Sequence, residues 1–460
     1  MARLAIRLAP IIAAAALVAS PLPAAGGGGS TVVQPPRMQL GDAPLDGYPG
    51  ADQDRITLMW QTTGGDDEFD AAVRRLGADE WTPAGPVLAE ALGVGSRVSH
   101  WVEITGLDWG VEYEYRIRQR RDGAEVAVWA HSFRTRLRAG DARPFVFGAY
   151  GDSAWADSPE PFDSVQRAIG VAGPAFTLLL GDNAYEYGTA EDLDARFDPL
   201  VSPSSAEWVA AHVEYPAFGN HDVRTGAGGP TEDAFAVPVP VAGADAPSQP
   251  PASERPEHNY SFDHGMVHFV SFDTNSITGP ARLTALLDWV VADLAASAAT
   301  WKIVFGHHPI GGVPDKEVEL AAYPHYPREV VTRLGEAGAD LFIVGHSHTY
   351  SWSYPLNGVS GGEVTFVDDR DGRFRRGAGM VQVVSGVGGH SLRPGRYDAP
   401  FIAAGYTLDS DPASEYGFML VSVTSLQITV EYVSAEDGRV IGSFAIVIAV
   451  PGCGGGNHPK

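Results

Sequence analysis

The chain has 460 residues, enough for two or three domains of ordinary size. Hydrophobic residues make up 44% of it and charged residues 19%, a balance that supplies large apolar cores and excludes a disordered chain. The formal net charge of −25 argues against nucleic acid as a main partner, because binding to a phosphate backbone needs patches of lysine and arginine.

The first 25 residues are predicted to be a secretory signal peptide. Arg3 and Arg7 precede the apolar run APIIAAAALVA, and small residues follow as far as a cleavage site near Ala25. The apolar run is shorter than the roughly 20 residues that a membrane-spanning helix needs, so we expect no stable membrane anchor. An uncleaved anchor is the alternative. The sequence therefore predicts a secreted protein, extracellular or periplasmic.

Residues 26–36 are predicted to be a linker, which opens with GGGGS. Residues 37–138 are predicted to form an all-β sandwich, because short alternating segments such as RITLMWQT recur between turns. Two strands flank the turn GLDWG, and AVWAHSFRTR ends the series. The stretch TGLDWGVEYEYRI makes this domain resemble a fibronectin type III domain.

Residues 145–450 show a different pattern, in which apolar runs alternate with helical segments. Residues 281–297 and 327–338 are the clearest helices, and the alternation predicts an α/β domain. Residues 451–460 are predicted to be a disordered tail. The tail holds Cys453, the one cysteine of the chain, so no intrachain disulfide can form.

Five apolar runs of this domain end in residues of metal-ligand type. These residues are Asp152, Asp182, Asn220 with His221, His307, and His346 with His348. A glycine directly precedes each group and permits a sharp turn with close backbone approach. Each group alone could be a helix cap, a turn residue or a core histidine. Because sites in open α/β sheets gather at the carboxyl ends of strands, the set together predicts a metal site.

The order and spacing of these groups resemble the calcineurin-like metallophosphoesterase superfamily and, within it, the purple acid phosphatases. The segments HNYSFDHGMVHFVSFDTN and VVSGVGGH are also similar to that family. The resemblance implies a multidomain fold: an N-terminal fibronectin III-like all-β sandwich, then an α/β metallophosphoesterase domain built as a β-sandwich flanked by helices.

The resemblance also implies a dinuclear metal centre of Fe(III) plus Zn, Fe(II) or Mn, bridged by Asp182. Asp152, Tyr185 and His348 would complete the ferric site, because hard carboxylate and phenolate ligands suit Fe(III). The divalent site would be completed by Asn220, His307 and His346. The Tyr185 phenolate would offset the extra positive charge of a ferric ion, so the net charge of the site would stay the same.

The implied activity is that of a secreted acid phosphatase, which hydrolyses phosphate monoesters by attack of a metal-bound hydroxide. His221 would contact the phosphate or protonate the leaving group. Family members often carry a second catalytic histidine where this chain has Lys316, and we assign that role to His325, with Lys316 as the alternative. Two further departures are Asp152-Ser153-Ala154 in place of Asp-x-Gly, and His308 beside His307.

The expected partner is a small phosphorylated substrate, and the sequence sets no expectation for an oligomeric state. A phosphodiesterase or nucleotidase on the same scaffold is the alternative activity, because the ligands are common to both. A non-catalytic binding protein built on the fibronectin-like module is a third reading, which predicts the loss of one or more ligands. All seven ligand positions are intact, so we favour an enzyme.

Overall fold

A computed structural model describes residues 29–40, 52–93, 95–238, 257–314, 325–408 and 415–449. The predicted signal peptide, the predicted tail and Lys316 lie outside the described residues. Within the described parts of the chain, no helix has the length and apolar character that a membrane crossing requires.

The N-terminal part of the described chain is all-β, as predicted. Its strands are β1 (Val32–Gln39), β2 (Asp54–Thr63), β3 (Glu68–Arg75), β4 (Thr82–Pro83), β5 (Leu88–Ala91), β6 (Arg97–Leu107), β7 (Glu112–Arg121) and β8 (Ala124–Arg134). They form two four-stranded sheets, in the orders β1-β2-β6-β5 and β4-β3-β7-β8. Strand β7 alternates as the sequence suggests, because Tyr113, Tyr115 and Ile117 are buried in the sandwich.

Strand β1 begins at Val32, inside the segment predicted to be a linker. Pro35 and Pro36 hide this strand from sequence patterns, since proline cannot donate to a strand ladder. β1 lies at the edge of its sheet, where proline is tolerated, and its pairing with β2 runs from Val32 to Gln39.

The second part contains two seven-stranded sheets. The strands of this part are β9 (Phe145–Tyr150), β10 (Ala154–Trp155), β11 (Thr177–Leu180), β12 (Ala184–Tyr185), β13 (Glu214–Ala217), β14 (Ser261–His264), β15 (Val267–Ser271), β16 (Trp301–Phe305), β17 (Leu341–Val344), β18 (Tyr350–Ser353), β19 (Leu356–Ser360), β20 (Glu363–Phe366), β21 (Arg373–Arg375), β22 (Val381–Ser385), β23 (Ile402–Tyr406), β24 (Gly417–Val423), β25 (Gln427–Ser434) and β26 (Val440–Val447). One large sheet has the order β13-β11-β9-β24-β25-β26-β21, and the other has the order β14-β15-β16-β17-β22-β18-β23.

The two large sheets pack face to face. Phe147 on β9 and Phe269 on β15 meet edge to face with ring centroids 5.3 Å apart, and Phe176 stacks on Phe147 in the same layer. Parallel pairing joins β9, β11 and β13 in one sheet and β15, β16, β17 and β22 in the other. The predicted β-sandwich is therefore confirmed, and it brings the carboxyl ends of parallel strands from both sheets to the same region.

Helices flank the sandwich. They are α1 (Glu160–Ala172), α2 (Ala190–Phe197), α3 (Pro203–Ala211), α4 (Gly229–Glu232), α5 (Pro280–Ala296) and α6 (Tyr326–Glu336), with 3₁₀ turns at Asp222–Arg224 and Gly226–Gly228. Helices α5 and α6 match the two helices that the sequence predicts. Leu283, Leu287 and Leu294 recur at helical spacing on α5, and they are buried against the second sheet together with Val330 of α6.

Buried polar contacts join the N-terminal sandwich to the second part. The Arg37 guanidinium is fully buried and donates to the Ala234 carbonyl from Nε at 3.1 Å and from Nη2 at 2.6 Å. Arg97 pairs with Asp194 through two hydrogen bonds, and the Tyr115 hydroxyl donates to the Ala210 carbonyl at 2.7 Å. The N-terminal sandwich is thus packed against the layer of α2, α3 and α4.

Candidate metal centre

Each large sheet places ligand-type side chains in the turns that follow three of its parallel strands. In the first sheet, Asp152 follows β9, Asp182 follows β11 and Asn220 follows β13. In the second sheet, His307 follows β16, His346 and His348 follow β17, and His390 follows β22. The site lies where six strand ends from the two sheets converge, as expected for an α/β sheet site.

One group of side chains surrounds the Tyr185 hydroxyl. This oxygen lies 3.0 Å from Asp152 Oδ1, 3.0 Å from Asp182 Oδ2 and 3.2 Å from His348 Nε2. His348 Nε2 is also 3.2 Å from Asp152 Oδ1. All four side chains are at most 4% exposed. The four residues predicted for the ferric site are thus brought together in the interior of the protein.

A second group adjoins the first. Asn220 Oδ1 lies 3.1 Å from His307 Nε2 and 3.0 Å from His346 Nδ1, and the two histidine nitrogens are 3.1 Å apart. The three residues predicted for the divalent site therefore also converge.

Asp182 stands between the two groups. Its Oδ2 atom faces the Tyr185 hydroxyl, whereas its Oδ1 atom lies 3.5 Å from His307 Nε2. The His221 backbone N–H donates to the same Oδ1 atom at 2.7 Å and helps to hold the carboxylate in this orientation. One carboxylate thus presents a different oxygen to each group, which is the arrangement that a bridging ligand needs.

The separations between these atoms suit ligands of a metal ion. Ligand atoms bound about 2.1 Å from one ion, at angles of about 90° to 109°, lie roughly 3.0 to 3.4 Å from one another. His307 Nδ1 lies 2.8 Å from the Leu180 carbonyl and must donate to it, so Nε2 is the ring nitrogen that can bind a metal ion. Once its proton is lost, Nε2 and the Asn220 Oδ1 atom 3.1 Å away can bind the same cation, and the residues present therefore fit a metal ion.

The electrostatics of the metal-free site also favour a bound cation. Burial opposes protonation of His307, but Asp182 and then Asp152 outweigh it and raise the pKa of His307 to about 9. Burial likewise favours a neutral Asp182, yet His307 and His221 hold its pKa well below the usual value. Without metal, a proton on His307 is the charge that balances the carboxylates, and a bound cation would take its place.

The pKa of Tyr185 moves in the opposite direction. Burial and the charges of Asp152 and Asp182 raise it well above the ordinary value of 10.0. The phenol is therefore neutral in the metal-free protein, and only a strongly charged cation beside it would ionise it.

Glycines next to the predicted ligands allow close approaches that any side chain would block. A Cβ atom on Gly219 would lie 2.1 Å from Asp182 Oδ1, and one on Gly345 would lie 2.6 Å from Asp152 Oδ2. These approaches give a physical reason for the glycine that precedes each ligand group in the sequence.

Three of the predicted ligands have left-handed backbone conformations. The φ angles are +57° for Asp152, +50° for Asp182 and +68° for His346. Such conformations cost about 1–3 kcal/mol each for residues other than glycine, and they persist where the surrounding structure over-determines them. The strain is concentrated at the turns that aim the ligands inward.

Several residues that support the site have no role in the sequence-based prediction. Ser391 Oγ lies 2.8 Å from His348 Nδ1 and 3.0 Å from His390 Nδ1. The His390 ring stacks on Tyr185 with centroids 3.8 Å apart. His390 carries the same signal as the ligands, a histidine that follows an apolar strand and glycines in VQVVSGVGGH.

Asp222 is a further buried residue of this kind. It accepts hydrogen bonds from the backbone N–H groups of Gly219, at 2.7 Å, and Asn183, at 3.0 Å, and from the Asn183 side chain. Burial and the nearby charge of Asp182 raise the pKa of Asp222 to about 7. Asp222 ties the turn after β13 to the turn after β11, and only its position in GNHD marked it in the sequence.

The residues predicted to be catalytic differ in placement. His221 lies at the mouth of the site, with its Nδ1 donating to the Glu186 carbonyl at 2.7 Å and its ring 4.4 Å from the Tyr185 ring. His325 is exposed at the start of α6, and among the described residues no hydrogen bond or ion pair links its side chain to the ligands. His308 is buried beside His346, with Nδ1 2.7 Å from Thr274 Oγ1.

Comparisons with known proteins agree with this fold. Residues 146–350 match the family model of calcineurin-like phosphoesterases. No curated protein matches the chain. Among solved structures, the purple acid phosphatase PPD1 from yellow lupin (Lupinus luteus) seeds is 18% identical, with 92% of this chain and 75% of that chain covered and a TM-score of 0.70. GAP50, the anchor in the inner membrane complex of Plasmodium, is 16% identical over 67% of this chain and 90% of its own, with a TM-score of 0.45.

The match at 18% identity establishes the fold, and the family model identifies the part of the chain that carries the converging ligands. Residues 146–350 include all seven predicted ligands: Asp152, Asp182, Tyr185, Asn220, His307, His346 and His348. Residues 146–350 are therefore similar to calcineurin-like phosphoesterases, and the chain has the fold seen in a purple acid phosphatase.

Proposed function

We propose that the chain is a secreted metal-dependent phosphatase that hydrolyses phosphate monoesters at a dinuclear centre of Fe(III) plus Zn, Fe(II) or Mn. The observation that carries the proposal is the position of Asp182, whose two oxygens face two separate groups of ligand atoms. Tyr185 supports the ferric assignment, because its hydroxyl lies 3.0 Å from each carboxylate and suits a hard trivalent cation.

Two bound metal ions would polarise a phosphoryl oxygen and lower the pKa of a water molecule to near neutrality. The protein's own residues fix the geometry for this chemistry. The Leu180 carbonyl orients His307, Ser391 orients His348, and the His221 backbone N–H orients Asp182. These outer contacts hold each ligand lone pair toward the centre.

His221 is the residue we assign to the phosphate or the leaving group. Its Nδ1 proton is held by the Glu186 carbonyl, so Nε2 is the atom that can accept or deliver a proton. Nε2 also accepts a hydrogen bond from Arg224 Nη2 at 3.1 Å. Arg224 must therefore turn away before Nε2 can carry a proton to a leaving oxygen. His325, or Lys316 in its place, remains our proposal for a second leaving-group residue.

The activity test uses the full-length, metal-loaded protein with an aryl phosphate monoester and the matching aryl phosphate diester. We expect faster hydrolysis of the monoester. Asp182→Asn should lower kcat/KM roughly a thousandfold or more, since it weakens both metal sites at once. The exposed Asp157→Asn is the matched control and should leave kcat/KM unchanged.

The same assay separates the alternatives. Faster hydrolysis of the diester would favour the phosphodiesterase or nucleotidase reading, and the metal scaffold would stand. Full metal occupancy without hydrolysis of any phosphate ester would overturn the enzymatic proposal and favour a binding protein. Secretion is tested by locating the mature N-terminus of the exported protein, which we expect near Ala25.

A further inference from the structure

Basic side chains gather around Glu186 at the mouth of the metal centre. Glu186 Oε2 lies 3.2 Å from Arg224 Nη1 and 3.4 Å from His221 Nδ1, and Glu186 Oε1 lies 3.8 Å from His390 Nε2. The Glu186 side chain is 43% exposed, so solvent reaches this cluster. These contacts place the Arg224 guanidinium, a permanent positive charge, close to the metal centre of a chain whose net charge is −25.

Two buried nitrogens in the same region have no hydrogen-bond partner among the residues that the structure describes. They are His390 Nε2 and Arg393 Nε. Arg393 is anchored beside the site, because its backbone N–H donates to the carbonyl of His348 at 3.0 Å. Buried polar groups without a partner are uncommon in folded proteins, and each calls for a water molecule or a ligand.

Arg224 and Arg393 each supply a permanent positive charge, and His390 supplies a ring nitrogen that can form a hydrogen bond.

We propose that Arg224, His390 and Arg393 form a second anion site, which binds a carboxylate or an additional phosphate on the substrate. We call these three residues the anion rim. The inference rests on the proposed phosphatase function, because the rim adjoins the centre where the scissile phosphate would be held. The preferred substrates would be phosphate monoesters that carry another negative group.

Arg224 can readily leave Glu186 and pair with an anionic group of the substrate instead. Its pair with Glu186 is partly exposed on both sides, 40% and 43%, and ion pairs of this kind stabilise a protein only weakly. A guanidinium also offers a planar fork that matches both carboxylate and phosphate oxygens. When Arg224 turns to the substrate, His221 Nε2 loses its donor and becomes free for proton transfer. The same rotation of the Arg224 side chain would thus bind the second anion and free His221 Nε2.

The test compares two hydrolysis-inert ligands on the metal-loaded, full-length protein. One is a phenylphosphonate with a carboxylate on the ring, and the other carries a neutral carboxamide of the same shape. Both the meta and para isomers are used, so that the rim is probed at two distances. We expect calorimetric titration to give at least about tenfold tighter binding of the carboxylate in one isomer.

Arg224→Gln and Arg393→Gln should each bring the carboxylate-to-carboxamide ratio of Kd values close to one. Arg370→Gln is the control, since Arg370 lies on the surface with its side chain 77% exposed, paired with Asp368, and should leave the ratio unchanged. The carboxamide serves as the folding control, because each variant must still bind it through the phosphonate.

A ratio near one in the unmodified protein for both isomers would overturn the inference. So would a preserved ratio in both arginine variants, or an equal loss of both ligands, which would place the arginines on the phosphonate itself. These outcomes are independent of turnover. If the protein hydrolyses no phosphate ester but keeps the carboxylate preference, the proposed function fails and the anion rim stands.

Discussion

The Tyr185 side chain combines complete burial with two carboxylates within 3.0 Å of its hydroxyl. Without metal these surroundings raise its pKa, so the phenol acts as a hydrogen-bond donor. A bound trivalent cation would reverse the balance, because it would stabilise the phenolate more than the carboxylates destabilise it. The oxidation state of such a metal and the ionisation of Tyr185 would therefore be linked.

Tyr185→Phe is expected to remove the visible colour of the iron-loaded protein. A phenolate bound to Fe(III) absorbs by charge transfer, and phenylalanine offers no such ligand. The measurement is the visible spectrum together with the iron content per chain. Tyr187→Phe, on the exposed side of the same turn with 61% exposure, is the matched control and should keep the colour. Survival of the band in Tyr185→Phe would exclude Tyr185 as the ligand.

Gly219→Ala should weaken metal binding although residue 219 is not a ligand. The added methyl would lie 2.1 Å from Asp182 Oδ1 and must displace the bridging carboxylate. We expect about one metal ion or fewer per chain by elemental analysis, with activity reduced roughly a hundredfold. Gly170→Ala, in α1 with nothing within 4 Å of the new methyl, is the control and should raise stability slightly. Two metal ions per chain in Gly219→Ala would contradict the prediction.

At the scale of elements, the site depends on six parallel strands that end at one place. Strand β15 is also parallel to β16, but it carries none of the predicted ligands. Its His268 forms a separate buried cluster instead. His268 Nδ1 lies 2.8 Å from Asp263 on β14, and Nε2 lies 2.7 Å from Asp293 on α5. This buried triad fastens the longest described helix to the edge of the second sheet.

The triad predicts a stability that falls in mild alkali. Burial opposes the charge, but Asp263 and Asp293 outweigh it and raise the pKa of His268 from 6.5 to about 9. Because the folded-state pKa is the higher one, the stabilisation is complete below pH 6.5 and is lost as the pH rises through about 9. The shift corresponds to stability on the order of 3 kcal/mol.

The measurement is the free energy of unfolding of the unmodified protein and of His268→Gln between pH 6 and pH 9.5. We expect the difference to be largest near pH 6 and to shrink toward pH 9.5. His212→Gln is the control, because burial lowers the pKa of His212 to about 4 and its ring is neutral across this window. A constant difference for His268→Gln would show that the triad is not charged as described.

At the scale of the whole molecule, the N-terminal sandwich is fastened to the second part by buried polar groups. Arg37 is the clearest of these, since its guanidinium lies 4.4 Å from the Phe197 ring and donates twice to the Ala234 carbonyl. The contact joins β1, the edge strand of one sandwich, to the segment that follows α4. We therefore expect the two parts to unfold together.

Arg37→Met should lower the free energy of unfolding by roughly 2–4 kcal/mol, because the Ala234 carbonyl loses both donors in a buried place. Denaturant unfolding followed by fluorescence and by circular dichroism should show one coincident transition at a lower midpoint. Arg55→Met, which removes a partly exposed pair with Glu103, is the control and should change stability by less than about 1 kcal/mol. Two separate transitions in the unmodified protein would contradict the coupling.

Local patterns in the sequence were sufficient for much of this protein. Alternation predicted the strands of the first sandwich, helical spacing predicted α5 and α6, and the glycine before each ligand group predicted close approach to a shared centre. These features are local, because they depend on residues within one strand, one helix or one turn. Six of the seven predicted ligands could be named for the same reason, since they follow the ends of strands, whereas Tyr185 was named from the family resemblance.

Only the tertiary structure decided which atoms face each other. Asp182 presents one oxygen to Tyr185 and the other to His307, which is 125 positions further along the chain, and no local pattern contains that distance. Arg224, Glu186 and His390 meet for the same reason, because turns from both sheets converge on the mouth of the site. The end of a strand determines where a side chain is attached, whereas the packing of the two sheets determines which other side chains it contacts.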